Sequence, residues 1–152
     1  MSLSLRRFSF RAMANHCEIQ IYDESRIDAK KTTQRLATEI LRIEQKYFPA
    51  TKNSFVLEIN HSAGSRLGIK LDTETRNLFN IAEHSFALSS GTWDITATKL
   101  NKAWKDKTQS PLDNAELTKL LPLVGFEKLD FKGKRLYLPE NMEIDFGPII
   151  KE

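Results

Sequence analysis

Hydrophobic residues along this chain repeat first with period two, then with helical period, then with period two again. Phe8 and Phe10 alternate with polar neighbours over residues 7–11, and Cys17, Ile19 and Ile21 do so over residues 17–23. Such alternation turns one face of a strand to the core and the other to water, so it predicts two strands. Between them lies a small-residue connection, Ala12-Met13-Ala14-Asn15-His16. Over residues 29–47 the repeat lengthens. Leu36, Ile40, Ile43 and Tyr47 share one helical face, and Lys, Arg, Gln and Glu fill the others. Pro49 ends that helix, because proline disfavours helical geometry in the residue before it.

Residues 51–65 are polar and turn-rich around a short apolar run, Phe55-Val56-Leu57-Glu58-Ile59. A second helix starts at Asp72, a good N-cap, with Glu74 in the first turn. It carries Leu78, Ile81, Ala82 and Phe86 inward and stops at Ser89-Ser90-Gly91, where glycine suits the C-terminal cap. Shorter helices are predicted over residues 96–104 and 113–121. The latter has Leu117, Leu120 and Leu121 on one face and Pro122 as its terminator. Strands return over residues 128–131 and 134–138, flanking a tight turn at Lys132-Gly133. A last strand over residues 142–147 leads into Pro148-Ile149-Ile150, a helix start with proline in its first turn. A helix that has only begun leaves Ile149 and Ile150 in need of burial, so further chain is expected beyond Glu152. The pattern as a whole is α+β, a mixed or antiparallel sheet packed with helices. It predicts one domain over residues 1–152, incomplete at its C-terminus.

Composition narrows the class. With 40% hydrophobic and 28% charged residues over 152 positions, the chain is globular rather than low-complexity. Its 23 basic and 20 acidic residues are interleaved, so the net charge of +3 argues against a nucleic-acid partner. Lysines at 99–107 and 128–134 read as solvated faces. A single cysteine, Cys17, excludes an internal disulfide, and His16, His61 and His84 form no metal-spaced cluster. No apolar run approaches the roughly 18 residues of a membrane helix. The opening residues show no secretory signal. A soluble protein is expected, cytoplasmic, or periplasmic if a signal has been removed.

The chain carries no phosphate-binding glycine loop, nucleophile elbow or metal-spaced carboxylates. Catalytic residues therefore remain unassigned. Three features nonetheless concentrate chemistry. Gly91-Thr92-Trp93-Asp94-Ile95-Thr96 places a glycine, an aromatic, a carboxylate and hydroxyls between two helices, a common place for function. It is equally consistent with a helix cap, a core tryptophan and an N-cap aspartate. Asp145-Phe146-Gly147 stands where a strand meets a helix, a junction that commonly meets ligand phosphates, although an ordinary turn reads the same way. Met13 after a strand suits either core packing or ligand contact.

In order, these features resemble the ApbE family of FAD:protein FMN transferases, formerly called thiamine-biosynthesis lipoproteins. Phe10-Arg11-Ala12-Met13-Ala14-Asn15-His16-Cys17-Glu18-Ile19 is similar to the family's opening Met-Gly-Thr segment. Asn53-Ser54-Phe55-Val56-Leu57-Glu58-Ile59-Asn60 resembles its Asp-Ser stretch ending in Asn. Gly91-Thr92-Trp93-Asp94-Ile95-Thr96, with Leu100 and Trp104, resembles Gly-x-x-Asp-x-Thr followed by Leu and Trp. Leu123-Val124-Gly125-Phe126 resembles Val-Gly-Tyr. Ile144-Asp145-Phe146-Gly147-Pro148-Ile149-Ile150-Lys151 resembles the Asp-Leu-Gly-Gly-Ile-Ala-Lys-Gly signature.

The resemblance implies an ApbE-like, T-fold-related domain. It also implies an enzyme that binds FAD and, with Mg2+, transfers FMN to a threonine of a target flavoprotein, releasing AMP. Dense pyrophosphate charge is the physical reason for a divalent ion there. Met13 would contact the flavin, Thr92, Trp93 and Asp94 would line the FAD site, and Asp145 and Lys151 would bracket the cofactor. The carbonyl of Pro148 would face magnesium. Departures accompany the match. Ala14-Asn15 replaces Gly-Thr, Phe48-Pro49-Ala50 replaces a Ser-x-aromatic element that stacks on flavin, and Pro148 replaces a glycine. Glu152 also stands in place of a glycine. The family's second half, with its Gly-Gly-Asp turn, Thr-Ser-Gly stretch and remaining magnesium ligands, is not in this sequence. The 152 residues by themselves are therefore expected to be inactive. The alternatives are a non-catalytic flavin-binding or partner-binding remnant, or a purely structural domain. A homodimer, or a separate C-terminal half, is the expected protein partner.

Overall fold

The computed structural model describes residues 3–23, 25–106 and 111–151. Lys107 and Glu152, both invoked above, lie outside the described residues. Strands β1 (Ser4–Ala12) and β2 (Asn15–Asp23) pair antiparallel, from Ser4 opposite Asp23 to Ala12 opposite Asn15. The ladder runs almost to the turn, so both strands are longer than the alternation alone predicts. Only Met13 and Ala14 remain as the connection, with φ of +52° and +61°. Positive φ at both positions is the hairpin turn that matches strand twist, here built without glycine.

Helix α1 (Arg26–Tyr47) is capped by Ser25, whose Oγ accepts from the Asp28 amide, and ends at Phe48, before Pro49. Its buried positions are Ala29, Thr33 and Tyr47, whereas Leu36 is 46% exposed. The hairpin packs on this helix. Small residues at the buried positions allow close approach, and Thr33 is tolerated there because its hydroxyl bonds the Ala29 carbonyl.

The apolar run after Thr51 forms helix α2 (Phe55–His61) rather than a loop, with Val56 and Ile59 fully buried. Strand β3 (Ile69–Lys70) precedes α3 (Thr73–Leu88), capped by Asp72 through the Thr75 amide. The inward stripe of α3 is Thr75, Phe79 and Ala82, while Ile81 is 49% exposed. Thr75 can occupy the core because its hydroxyl meets the Tyr47 hydroxyl at 2.9 Å. The left-handed position that caps α3 is taken by Ser90, at φ +52°, rather than by the expected glycine, and Gly91 follows it at φ +79°.

Helix α4 (Thr98–Asp106) starts two residues later than expected, since Thr96 is held in a turn by Asp94. Helix α5 (Asn114–Leu120) opens on a capping box between Asp113 and Glu116. The helix stops at Leu120, just before Pro122 as expected, and a 3-10 turn, Leu121–Leu123, follows, in which Leu121 faces water. Strands β4 (Asp130–Lys132) and β5 (Arg135–Tyr137) enclose a turn at Gly133 and Lys134, one residue later than the sequence suggests. With β3 they form an antiparallel sheet in the order β3-β5-β4.

Residues 142–146 are not a strand. Asn60 bonds both the amide and the carbonyl of Ile144 at 2.8 and 3.0 Å, and the Asp145 amide donates to the Ile95 carbonyl at 3.0 Å. A side chain and a loop carbonyl thus stand in for a neighbouring strand. The chain then enters α6 (Gly147–Ile150), with proline in its first turn as expected. The core is aromatic at its centre. Phe146 meets Tyr47 and Phe79 edge-on, at centroid separations of 5.7 and 5.0 Å. The architecture is α+β with two small antiparallel sheets among the described residues, and no described helix is long and apolar enough to cross a membrane.

Candidate functional site

Phe146 is fully buried, and that anchor places Asp145 and Gly147 at the rim of the core. The Gly147 amide donates to Asp145 Oδ1 at 2.7 Å. A Cβ at position 147 would lie 3.0 Å from the same oxygen, so the close approach of carboxylate and backbone needs glycine.

Helix α6 then becomes the hub of three clefts. The first, about 300 Å³, is lined by Asp94, Asp145, Pro148 and Lys151, together with Lys102 and Lys105. The second, about 320 Å³, is lined by Met13, Ile40, Ile43, Ile150 and Lys151. The third, about 500 Å³, holds Trp93, Pro148 and Ile149 against Ile81 and Leu88. Six of the seven residues singled out from the sequence thus surround one four-residue helix. Thr92 is exposed and lines none of these three clefts. A wider groove of about 820 Å³ follows residues 31–39 on the outer side of α1, but it draws on one helix face and holds none of the singled-out residues.

Asp94 works within the fold. Its Oδ1 accepts from the Thr96 amide and hydroxyl at 2.8 and 2.7 Å, and Oδ2 accepts from the Phe126 amide at 3.1 Å. Thr96 Oγ1 accepts in turn from the Gly125 amide at 2.7 Å. Two landmark stretches separated by thirty residues are therefore one hydrogen-bonded unit. Carboxylate oxygens accept more than one donor each, so Asp94 keeps capacity toward the cleft it lines. Lys151 lies with Nζ 5.0 Å from the centre of the Phe48 ring, a cation–π contact made by the aromatic that stands just before Pro49.

The first cleft sets three lysines, Lys102, Lys105 and Lys151, against two carboxylates, Asp94 and Asp145. Lys102 pairs with Glu143 at 2.6 Å, while Lys105 and Lys151 contribute positive charge without a carboxylate partner closer than the ion-pair limit among the described residues. Amide and ammonium donors suit phosphate oxygens. They suit magnesium poorly. Mg2+ demands near-octahedral oxygen coordination, and no group of three or more His, Cys, Asp or Glu side chains converges among the described residues. Asp145 and the Pro148 carbonyl alone do not make such a site.

Behind the clefts, a charged network ties α1 to α3. Arg42 pairs with Glu39 and Glu74, and Lys46 pairs with Asp72 and Glu74 at 2.5 and 2.6 Å. Arg42 and Lys46 together hold the Glu74 carboxyl down to about 2. Burial pushes Asp72 up, but Lys46 and the Thr75 donors outweigh it and bring Asp72 to about 2. Tyr47 is raised by burial, and its hydroxyl bridges Glu74 and Thr75.

Residues that periodicity did not single out complete the site. Along the sequence Thr96 is only a member of its motif, Asn60 only the end of one, and Lys102 and Lys105 only part of a lysine cluster. The polar residue types were visible, but their convergence depends on contacts distant in sequence.

No curated protein matches the chain. An ApbE protein from Thermotoga maritima superposes with a TM-score of 0.84 at 21% identity, covering 97% of this chain and 49% of its own. The flavin transferase ApbE from Vibrio cholerae gives 0.84 at 19%, covering 98% and 50%. The Pseudomonas stutzeri flavinyl transferase ApbE gives 0.79 at 16%, covering 98% and 49%. The chain spans about half the length of these structures, and at such identities they establish the fold. The model described as ApbE family matches residues 13–152, from the hairpin turn through the Asp145 segment, and the chain belongs to that family.

Proposed function

We propose that this chain holds FAD around α6 and supplies the flavin-binding half of an FAD:protein FMN transferase. The observation that carries the reading is the junction at Asp145-Phe146-Gly147, where a carboxylate, three lysines and two apolar clefts meet around one buried aromatic anchor. Met13, with Ile40 and Ile43, contacts the apolar ring system. Trp93 and Asp94, with Thr92 at their edge, line the cofactor, and Asp145 and Lys151 bracket it near the phosphates. In a complete assembly the threonine oxygen of a target flavoprotein bonds to the FMN phosphorus, the phosphorus–oxygen bond to AMP breaks, and the hydroxyl proton is released. Magnesium, if bound for that step, would stabilise the charge on the phosphates, with the Pro148 carbonyl as the oxygen this chain would offer and most other ligands from outside the described residues.

A second reading is favoured by Asp94, whose two carboxylate oxygens are engaged by Thr96 and Phe126 within the fold. On it, the chain is a flavin-binding or partner-binding module without transferase activity. Magnesium-dependent AMP release from FAD separates the two. It is measured for the chain alone and with a polypeptide supplying the second half of a solved relative. The transferase reading expects AMP only from the combination. FAD binding without AMP in the combination leaves the module, and no FAD binding in either sample overturns both.

A further inference from the structure

We infer that Glu44 is a positioning residue that holds the hairpin turn so that Met13 faces the flavin. The inference rests on the FAD reading above. Met13 and Ala14 both take left-handed backbone conformations, φ +52° and +61°, that residues with a Cβ disfavour. Strain of this kind persists only where its surroundings over-determine it. Here Glu44, on the last turn of α1, accepts the Met13 amide at Oε1 over 2.7 Å, across 31 residues of sequence. Asn15 Nδ2 donates to the Met13 carbonyl at 3.1 Å, so both backbone groups of Met13 are tied. The tied turn leaves the Met13 side chain only 6% exposed, beside Ile40, Ile43, Ile150 and Lys151 in a cleft of about 320 Å³. An apolar cleft with one cation at its rim fits a planar ring system that carries phosphate on one side.

Without the carboxylate, the turn is free to relax toward ordinary φ, and the methionine then leaves the cleft wall. Glu44→Asp withdraws the acceptor by one methylene with charge retained, and Glu44→Gln retains an acceptor at the same reach. FAD titration should show about a tenfold or greater weakening for Glu44→Asp and less than about threefold for Glu44→Gln. Coupling provides the decisive readout. If Glu44 acts through Met13, adding Glu44→Asp to Met13→Ala weakens binding no further than Met13→Ala alone. Additive losses overturn the inference, as does wild-type affinity in Glu44→Asp. A residue that merely supported the fold would lower the thermal midpoint and leave FAD affinity intact, which also overturns it. Failure of the wild-type chain to bind FAD defeats the flavin reading and this inference with it, and is distinguishable because the variants are then not the cause.

Discussion

Replacing Thr96 with valine tests whether the Gly91–Thr96 and Gly125–Phe126 stretches act as one unit. The side chains are nearly isosteric, so packing changes little and the perturbation is the hydroxyl. Thr96 is 1% exposed, and its hydroxyl donates to Asp94 and accepts from the buried Gly125 amide. Valine removes both bonds and strands the Gly125 N–H away from water. A buried unsatisfied donor costs about 1–3 kcal/mol, and the lost charge-assisted bond adds about 1 kcal/mol after solvent competition. The expected loss is therefore about 2–4 kcal/mol. For a domain of this size that lowers the thermal midpoint by roughly 5–15 °C. Urea unfolding followed by circular dichroism should move the midpoint without changing the slope. Thr96→Ser, which keeps the hydroxyl, should lose less than about half as much. A Thr96→Val protein within about 0.5 kcal/mol of wild type would refute the claim that this hydroxyl joins the two stretches.

Gly147→Ala should separate binding from stability. Its new Cβ meets Asp145 Oδ1 at 3.0 Å, and the carboxylate end can swing aside, so stability should fall by under about 1 kcal/mol while FAD affinity, read by titration, falls more steeply. Acid titration should expose the α1–α3 network. Glu74 is depressed to about 2 in the fold from an ordinary 4.5, so its contribution is complete above about pH 4.5 and disappears as pH drops toward 2. Because the Glu74 side chain is 40% exposed, that contribution is about 0–1 kcal/mol, and Glu74→Gln should flatten the acid limb of stability against pH by that small amount. Light scattering should find the isolated chain associated, as a dimer or swapped assembly. Leu3, Leu5, Tyr22, Ile27, Leu36 and Leu41 expose apolar surface on the hairpin and α1, and a monomer at all concentrations would contradict that expectation.

Much of the fold was legible because it is local. Asp72 and Asp113 announce their helices by side-chain capping, and Ser89-Ser90-Gly91 announces an end, since these bonds span only a few residues. Failures fell where a partner distant in sequence decides. Ile81 reads as core, but the face of α3 that meets the core carries Thr75, Phe79 and Ala82, and residues 142–146 read as a strand until Asn60 takes the place of a neighbouring chain.

The site divides in the same way. The order of its motifs along the chain was enough to indicate a family, because each landmark is a short run of residue types. What the sequence alone determined is therefore the identity of the groups: a carboxylate at 94, another at 145, a methionine at 13 and a lysine at 151. Tertiary structure decided what each group faces. It turned Asp94 toward Thr96 and Phe126, tied Met13 to Glu44, and gathered three clefts around α6. Hydrogen bonds and cavities are set by distance in space, and no periodicity along a chain encodes which residues thirty or more positions apart will meet.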